Sequence, residues 1–218
     1  MKFFPSLLLP LALLLALTSV GAEDGPVFEM RTYYANEGKL DDLHTRFRDH
    51  TVALFEKHGM ENVGYFVPEE NPGNVLVYFL SYPSRDSRKA SSKGFVSDPD
   101  WKEAFAASKV NAKLVAKVES EFLTLTDYSP ELRIKESKKP RLFELRTYTT
   151  AEGMLSHLDY RFANDTLGIF DRHGITNVAY WHPMFDQDGH ENTLVYLLAY
   201  KGTTAHEKAW AGFRADPE

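Results

Sequence analysis

The chain repeats itself, and that restricts the folds open to it more than any other feature. Val27-Phe28-Glu29-Met30-Arg31-Thr32-Tyr33 returns as Leu142-Phe143-Glu144-Leu145-Arg146-Thr147-Tyr148, an offset of 115 (143 − 28 = 115). The match runs without a gap through Glu37-Gly38 and Glu152-Gly153, Arg46-Phe47 and Arg161-Phe162, His58-Gly59 and His173-Gly174, and Asn62-Val63 and Asn177-Val178. A loop three residues longer in the second copy then moves the offset to 118 (195 − 77 = 118). Beyond it, Val77-Tyr78 meets Val195-Tyr196, Gly94-Phe95 meets Gly212-Phe213, and Asp98-Pro99 meets Asp216-Pro217. Copy one continues into Trp101 and a further hydrophobic pattern, whereas the chain given stops at Glu218, so the second copy is expected to be incomplete.

Each copy alternates periods in the same order. Val27–Tyr34 reads as a strand, with Phe28 and Met30 on one face and Glu29, Arg31 and Tyr33 on the other. Leu40, Leu43, Phe47, Thr51, Leu54 and Phe55 then fall at helical spacing, closed by His58-Gly59. Strands are expected over 62–67 and 75–82, and a short helix over 84–93. Asp98-Pro99 caps a longer helix carrying Trp101, Phe105, Leu114 and Val118 on its apolar face, followed by a last strand over 121–126. The order βαββαβ is that of a ferredoxin-like α+β module. We therefore divide the chain into a module over 27–126, a linker over 127–141 and a second module over 142–218. The linker carries Pro130, Pro140 and Lys135-Glu136-Ser137-Lys138-Lys139, and is expected to be solvated and mobile. One face of such a sheet is covered by its own helices, and the other needs a second module. That pairing is open to one chain or to two.

The beginning of the chain has a different character. Lys2 precedes an apolar run from Leu7 to Leu17, with the small residues Val20 and Ala22 before Glu23-Asp24. This predicts a signal peptide over 1–22, cleaved after Ala22, and an exported protein, periplasmic or secreted. No later stretch approaches the length of a membrane span. A net charge of −6 without a basic cluster argues against a nucleic-acid partner. The absence of cysteine removes disulfides, thiolate nucleophiles and cysteine zinc sites. No metal-ligand motif, phosphate loop, dinucleotide fingerprint or nucleophile elbow occurs, so no metal is expected.

Glu29, Arg31 and Tyr33, repeated as Glu144, Arg146 and Tyr148, form the candidate ligand wall. Arginine can grip a carboxylate and tyrosine can donate to an oxygen. The competing reading is a structural Glu–Arg pair across the module interface. If Phe28 and Met30 pack on the helices, the polar trio points into a barrel between the modules. Tyr65 and Tyr180, expected to share strand faces with Val63 and Val178, are secondary candidates. His58 and His173, at helix ends, and His182, unique to copy two, are weaker ones.

The strand Phe28-Glu29-Met30-Arg31-Thr32-Tyr33 with its repeat, the Glu-Gly before the helix, Lys57-His58-Gly59 and Arg172-His173-Gly174, the Asn-Val-x-Tyr strand and the Asp-Pro-x-Trp helix start together resemble the NIPSNAP family. The resemblance covers most of both modules and implies a fold of the dimeric α/β-barrel type. Relatives of that type include haem-degrading and cofactor-free monooxygenases and muconolactone isomerases, while several NIPSNAP members are discussed as interaction or trafficking factors. The expectation is thus a protein binding a small aromatic or carboxylated organic ligand in the barrel, with cofactor-free oxidation or isomerisation as the activity that would fit. The alternatives are a non-catalytic protein-interaction module and a haem-binding barrel. No cofactor is predicted, although the histidines would permit haem.

Overall fold

The computed structural model describes residues 25–110, 112–132, 134 and 141–217. The expected signal peptide and the charged run Lys135–Lys139 lie outside the described residues. In the first module, β1 (Val27–Ala35) is followed by α1 (Leu40–Arg46), a π-helical turn at Phe47–Thr51, and α2 (Val52–Lys57). Then come β2 (Glu61–Phe66), β3 (Val75–Tyr82), α3 (Arg85–Ser97), α4 (Pro99–Ala107) and β4 (Val115–Leu125). The second module repeats this as β5 (Leu142–Thr149), α5 (Leu155–Arg161), a π turn at Phe162–Thr166, α6 (Leu167–Arg172), β6 (Thr176–Pro183), β7 (Thr193–Tyr200) and α7 (Thr203–Ala215). Among the described residues, no helix is long and apolar enough to cross a membrane.

All seven strands form one antiparallel sheet in the order β2-β3-β1-β4-β6-β7-β5. Strands β2-β3-β1-β4 make the ferredoxin-like arrangement, and β4 carries the sheet into the second module by pairing with β6 (Leu123 with Pro183, Leu125 with Trp181). The modules therefore pair within one chain. The sheet curls, bringing Phe66 of one edge strand to 5.0 Å (ring centroids) from Phe143 of the other. Its inner face is a single apolar cluster of Phe28, Phe79, Leu123, Trp181, Val195 and Leu197, with Met30 and Phe143 packed against it. Each outer face carries helices over a core of its own, centred on Phe55 and Tyr78 in module one and on Phe170 and Tyr196 in module two.

Several expectations need correction. Phe28 and Met30 face the inner cluster, so Glu29, Arg31 and Tyr33 point outward to the helices. Alternation fixes which residues share a face but not which way it points, and here the apolar residues of both modules meet inside, as Phe28 does with Trp181 at 5.9 Å. Val118 is a strand residue, because β4 pairs with β1 from Val115 onward instead of prolonging α4. Val63 and Tyr65 do not share a face: the register shifts between Asn62 and Gly64, sending Val63 inward and Tyr65 to the helix side. The same shift separates Val178 from Tyr180. The linker is not wholly solvated, since Leu132 and Ile134 pack on the inner cluster.

The two histidines at the helix ends are each tied to an aspartate that follows the next helix. His58 Nε2 donates to Asp98 Oδ2 (2.7 Å), while Asp98 Oδ1 caps α4 by accepting from the Asp100 amide (2.8 Å). His173 Nε2 donates to Asp216 in the same way (2.6 Å). Gly59 and Gly174 end their helices with φ of 74° and 75°, the left-handed conformation expected of them. Each imidazole lies close enough to the next helix that a Cβ at Gly94 would meet His58 Nδ1 at 2.7 Å, and one at Gly212 would meet His173 Nδ1 at 2.5 Å. This explains why glycine recurs inside both helices.

Two outcomes are expected. Helix propensity alone would make Gly94→Ala stabilising by about 1 kcal/mol. Overpacking against a tethered ring should instead make it destabilising by about 1–3 kcal/mol, read by urea denaturation. A gain in stability would show that the His58 ring is free to move. Hydrogen bonds from Lys57 and His58 hold the Asp98 carboxyl well below its ordinary value. A depressed folded value stabilises above the unfolded value of about 3.8 and is lost as pH falls through the folded one. The stability gap between the wild type and Asp98→Asn should accordingly be open at pH 6 and shrink steadily below about pH 4; a gap independent of pH would contradict it.

Candidate functional site

A cavity of about 900 Å³ lies between the sheet and the helices of module one. Its floor is β1 and β4, which supply Arg31, Tyr33 and Lys117. The first helical stretch supplies Arg46, Phe47, Thr51 and Phe55. Helices α3 and α4 add Arg88, Phe95, Trp101 and Phe105, and Lys102, Lys109 and Lys113 stand around it. Three arginines and four lysines thus meet no aspartate, glutamate or histidine on the wall, in a chain whose net charge is −6. The apolar side is a run of rings: Phe55 to Phe95 at 4.8 Å, Phe95 to Trp101 at 4.3 Å and Trp101 to Phe105 at 5.3 Å.

Arg46 dominates the electrostatics. It is 6% exposed, its guanidinium lies over Trp101 and Phe105 (5.4 Å to each centroid), and Nη1 donates to Ser108 Oγ at 3.2 Å. Its Nε has no acceptor, and no carboxylate of the described residues pairs with it. Burial accordingly lowers its pKa from the ordinary arginine value. A buried cation without a counter-charge is costly unless something supplies one. Arg31, on the floor, also has a buried Nε without an acceptor and stacks on Tyr33 at 5.4 Å.

Glu29 stands behind this wall with no exposed surface. It accepts from Arg88 Nε and Nη2 (3.0 and 2.8 Å), Tyr82 Oη (3.0 Å) and Ser120 Oγ (2.7 Å). Burial alone would raise its pKa, but the Arg88 and Ser120 hydrogen bonds and the charge of Arg31 outweigh burial and hold it below the usual carboxylate value.

The remaining candidates are scattered. Glu144 accepts from Arg146 (2.7 Å), Tyr200 (2.8 Å) and Trp210 (2.9 Å), and Arg146 also donates to Tyr148 Oη (3.0 Å). The second trio is thus closed on itself, beside a groove of about 500 Å³ that includes the carboxylates Glu144 and Glu207. The Glu–Arg pairing considered across the interface occurs instead within one module. Tyr65 and Tyr180 are core residues, each donating to an asparagine of its own strand (Asn62, Asn177) and stacked on Tyr78 or Tyr196. His182 Nδ1 lies 2.9 Å from the Thr193 carbonyl and Nε2 lies 3.2 Å from Asp159. Neither His58, His173 nor His182 lines the large cavity.

Sequence reasoning picked out Arg31 and Tyr33 but missed Arg46, Arg88, Trp101 and the lysines. Arg46 left a trace: a charge beside Phe47 within an apolar helical stripe, repeated as Arg161. Arg88 left none, because its counterpart is His206.

Among solved structures, two proteins each named "putative monooxygenase" share the architecture. The one from Fusobacterium nucleatum superposes with a TM-score of 0.60 at 12% identity, covering 87% of this chain and 83% of that one. The one from Lactobacillus acidophilus gives 0.57 at 10% identity, covering 88% and 83%. They support a fold of the dimeric α/β-barrel type and nothing further. A Dictyostelium discoideum protein named NipSnap homolog is 25% identical over 177 residues, 80% of this chain and 70% of that protein. The NIPSNAP family model matches residues 28–130 and 143–218, one segment in each module, and the chain belongs to the NIPSNAP family.

Proposed function

We propose that the helix–sheet cavity of the first module binds a small organic anion with an aromatic or otherwise flat apolar body. The observation that carries this is Arg46, a buried guanidinium without a carboxylate, in an aromatic wall lacking any acid. A carboxylate or sulfonate would complete the Arg46 fork and reach toward Arg31, while the rings from Phe55 to Phe105 would cover the body. The volume suits such a molecule. Between the modules, Phe28, Phe79 and Trp181 form an apolar cluster, and the cavity beside it, about 530 Å³ and lined by Phe28, Val63, Leu125, Leu132 and Ile134, offers no arginine or lysine among its described residues.

The wall favours binding over acid–base chemistry, since general catalysts of the usual kinds, histidine and carboxylate, are missing from it among the described residues. Any cofactor-free oxidation or isomerisation would draw its proton-transfer groups from Tyr33 and the lysines of the wall, with Arg31 and Arg46 holding the anion. A haem reading gains no support, because the cavity offers no histidine as an axial ligand. Lys2, the Leu7–Leu17 run and the small residues at Val20 and Ala22 support export of the protein.

Two dyes of nearly the same shape separate charge from shape: the anion 8-anilinonaphthalene-1-sulfonate and its neutral analogue N-phenyl-1-naphthylamine. The wild type should bind both, the anion more tightly. Arg46→Met should weaken the anion roughly tenfold or more, the loss of a charged hydrogen bond, and leave the neutral dye much as it was. Trp101→Ala should weaken both. A wild-type chain that binds neither dye ends the proposal.

A further inference from the structure

The two modules present the same trio in two states, and the donors around the glutamate differ: Arg88 and Ser120 take Glu29 Oε1 in module one, whereas Trp210 and His206 approach Glu144 only at Oε2 in module two. In module two, Arg146 Nη1 lies 2.7 Å from Glu144 Oε1 and Nη2 donates to Tyr148. Its guanidinium is committed. In module one the equivalent atoms, Arg31 Nη1 and Glu29 Oε1, are 3.7 Å apart, and Arg31 keeps a buried Nε without an acceptor. Both oxygens of Glu29 are taken by other donors. Arg88 spans them with Nε on Oε2 and Nη2 on Oε1, and Ser120 also donates to Oε1. The residue equivalent to Arg88 in module two is His206 (206 − 88 = 118), which makes one contact to Glu144, to Oε2 at 3.2 Å, and leaves Oε1 to Arg146.

We propose that Arg88 is a positioning residue: together with Ser120 it occupies Glu29, and so leaves Arg31 available as an anion receptor in module one. This rests on the cavity reading given above and adds to it the device that selects an anion. The logic is competitive. A carboxylate forms its shortest, strongest bonds with the best-placed guanidinium fork. Without Arg88, Glu29 would take Arg31, as Glu144 takes Arg146, and the floor of the cavity would lose its available cation. Arg46, on the opposite wall, would remain but act alone. The ligand class follows: an oxyanion with at least two acceptor oxygens, able to engage guanidinium groups from the floor and from the first helix together.

The test uses the full chain and the same two dyes, with folding of each variant checked by thermal unfolding. Arg88→His installs the module-two residue. It should weaken the anionic dye about tenfold, the scale of one charged hydrogen bond, with the neutral dye changed by less than about twofold. The double variant Glu29→Gln/Arg88→His removes the competing charge, so the anionic dye should recover most of its affinity. A purely structural role for Arg88 predicts no such selectivity and no recovery. If Arg88→His does not fold, Arg88→Lys is read instead; it keeps a charge beside Glu29 but loses the fork, and a smaller selective loss is expected. Unchanged binding of the anion, equal weakening of both dyes, or no recovery in the double variant would each overturn the proposal. A wild type that binds neither dye removes the cavity reading and this inference with it, a pattern distinct from a wild type that binds the anion and a variant that fails to discriminate.

Discussion

A carboxylate with no exposed surface has to be met by donors on every side, and Glu29 collects its donors from three neighbouring elements while standing on a fourth. Tyr82 reaches it from β3, Arg88 from α3 and Ser120 from β4, all converging on β1. Removing any one would leave a buried charge partly uncompensated, which costs far more than the contact itself contributes. The seat of α3 on the sheet and the alignment of β4 beside β1 are thus coupled to one ionised side chain. The outer cavity depends on the same arrangement, because α3 and β4 are two of its walls.

Much of this architecture is legible in the sequence. The repeat gives two modules, the change of period gives βαββαβ, and Asp98-Pro99 marks a helix start that the structure places there. The orientation of the sheet is not legible in the same way. Phe28 and Met30 alternate with Glu29 and Arg31 whichever face is inside. The side was decided by partners more than 100 residues away, such as Trp181 against Phe28 and Phe79. Local pattern also hides a register shift of one residue. Asn62-Val63-Gly64-Tyr65 looks like plain alternation, yet the shift splits Val63 from Tyr65 and sends the tyrosine to the helix-side core. The cavity was legible only in part for a related reason. Arg31 stands in a repeated motif, but Arg46 matters through Trp101 and Phe105, which approach it only once α4 has folded across α1.

Duplication supplied two copies of one frame, and the described residues of the two differ at particular positions. Both retain the His–Asp staple between the first helical stretch and the segment after α3 or α7, with the glycine that lets the imidazole lie close. Both retain the ring stack of Tyr65 on Tyr78 and Tyr180 on Tyr196. Where they part is the polar trio, extended in one module and folded back on its own glutamate in the other. Family membership does not resolve such differences, because the matching residues are the shared ones.

The longer loop of the second copy has a consequence for assembly. Between β6 and β7 it sends Met184 to donate to the Phe122 carbonyl (2.8 Å), Gln187 Oε1 to accept from the Phe122 amide (3.1 Å) and Asp186 to receive Arg85 (2.9 Å). The two modules are thereby clasped at the point where the sheet crosses from one to the other, and they are already joined covalently between Leu125 and Leu142. For units tethered this closely the effective concentration of one for the other is on the order of millimolar. A seam of modest intrinsic affinity then suffices to keep the pair shut, and a free module from another chain competes poorly for it. What separate subunits would achieve by meeting in solution, this chain secures by contour length, so its folded unit should persist at dilutions where an assembly of unlinked modules would come apart.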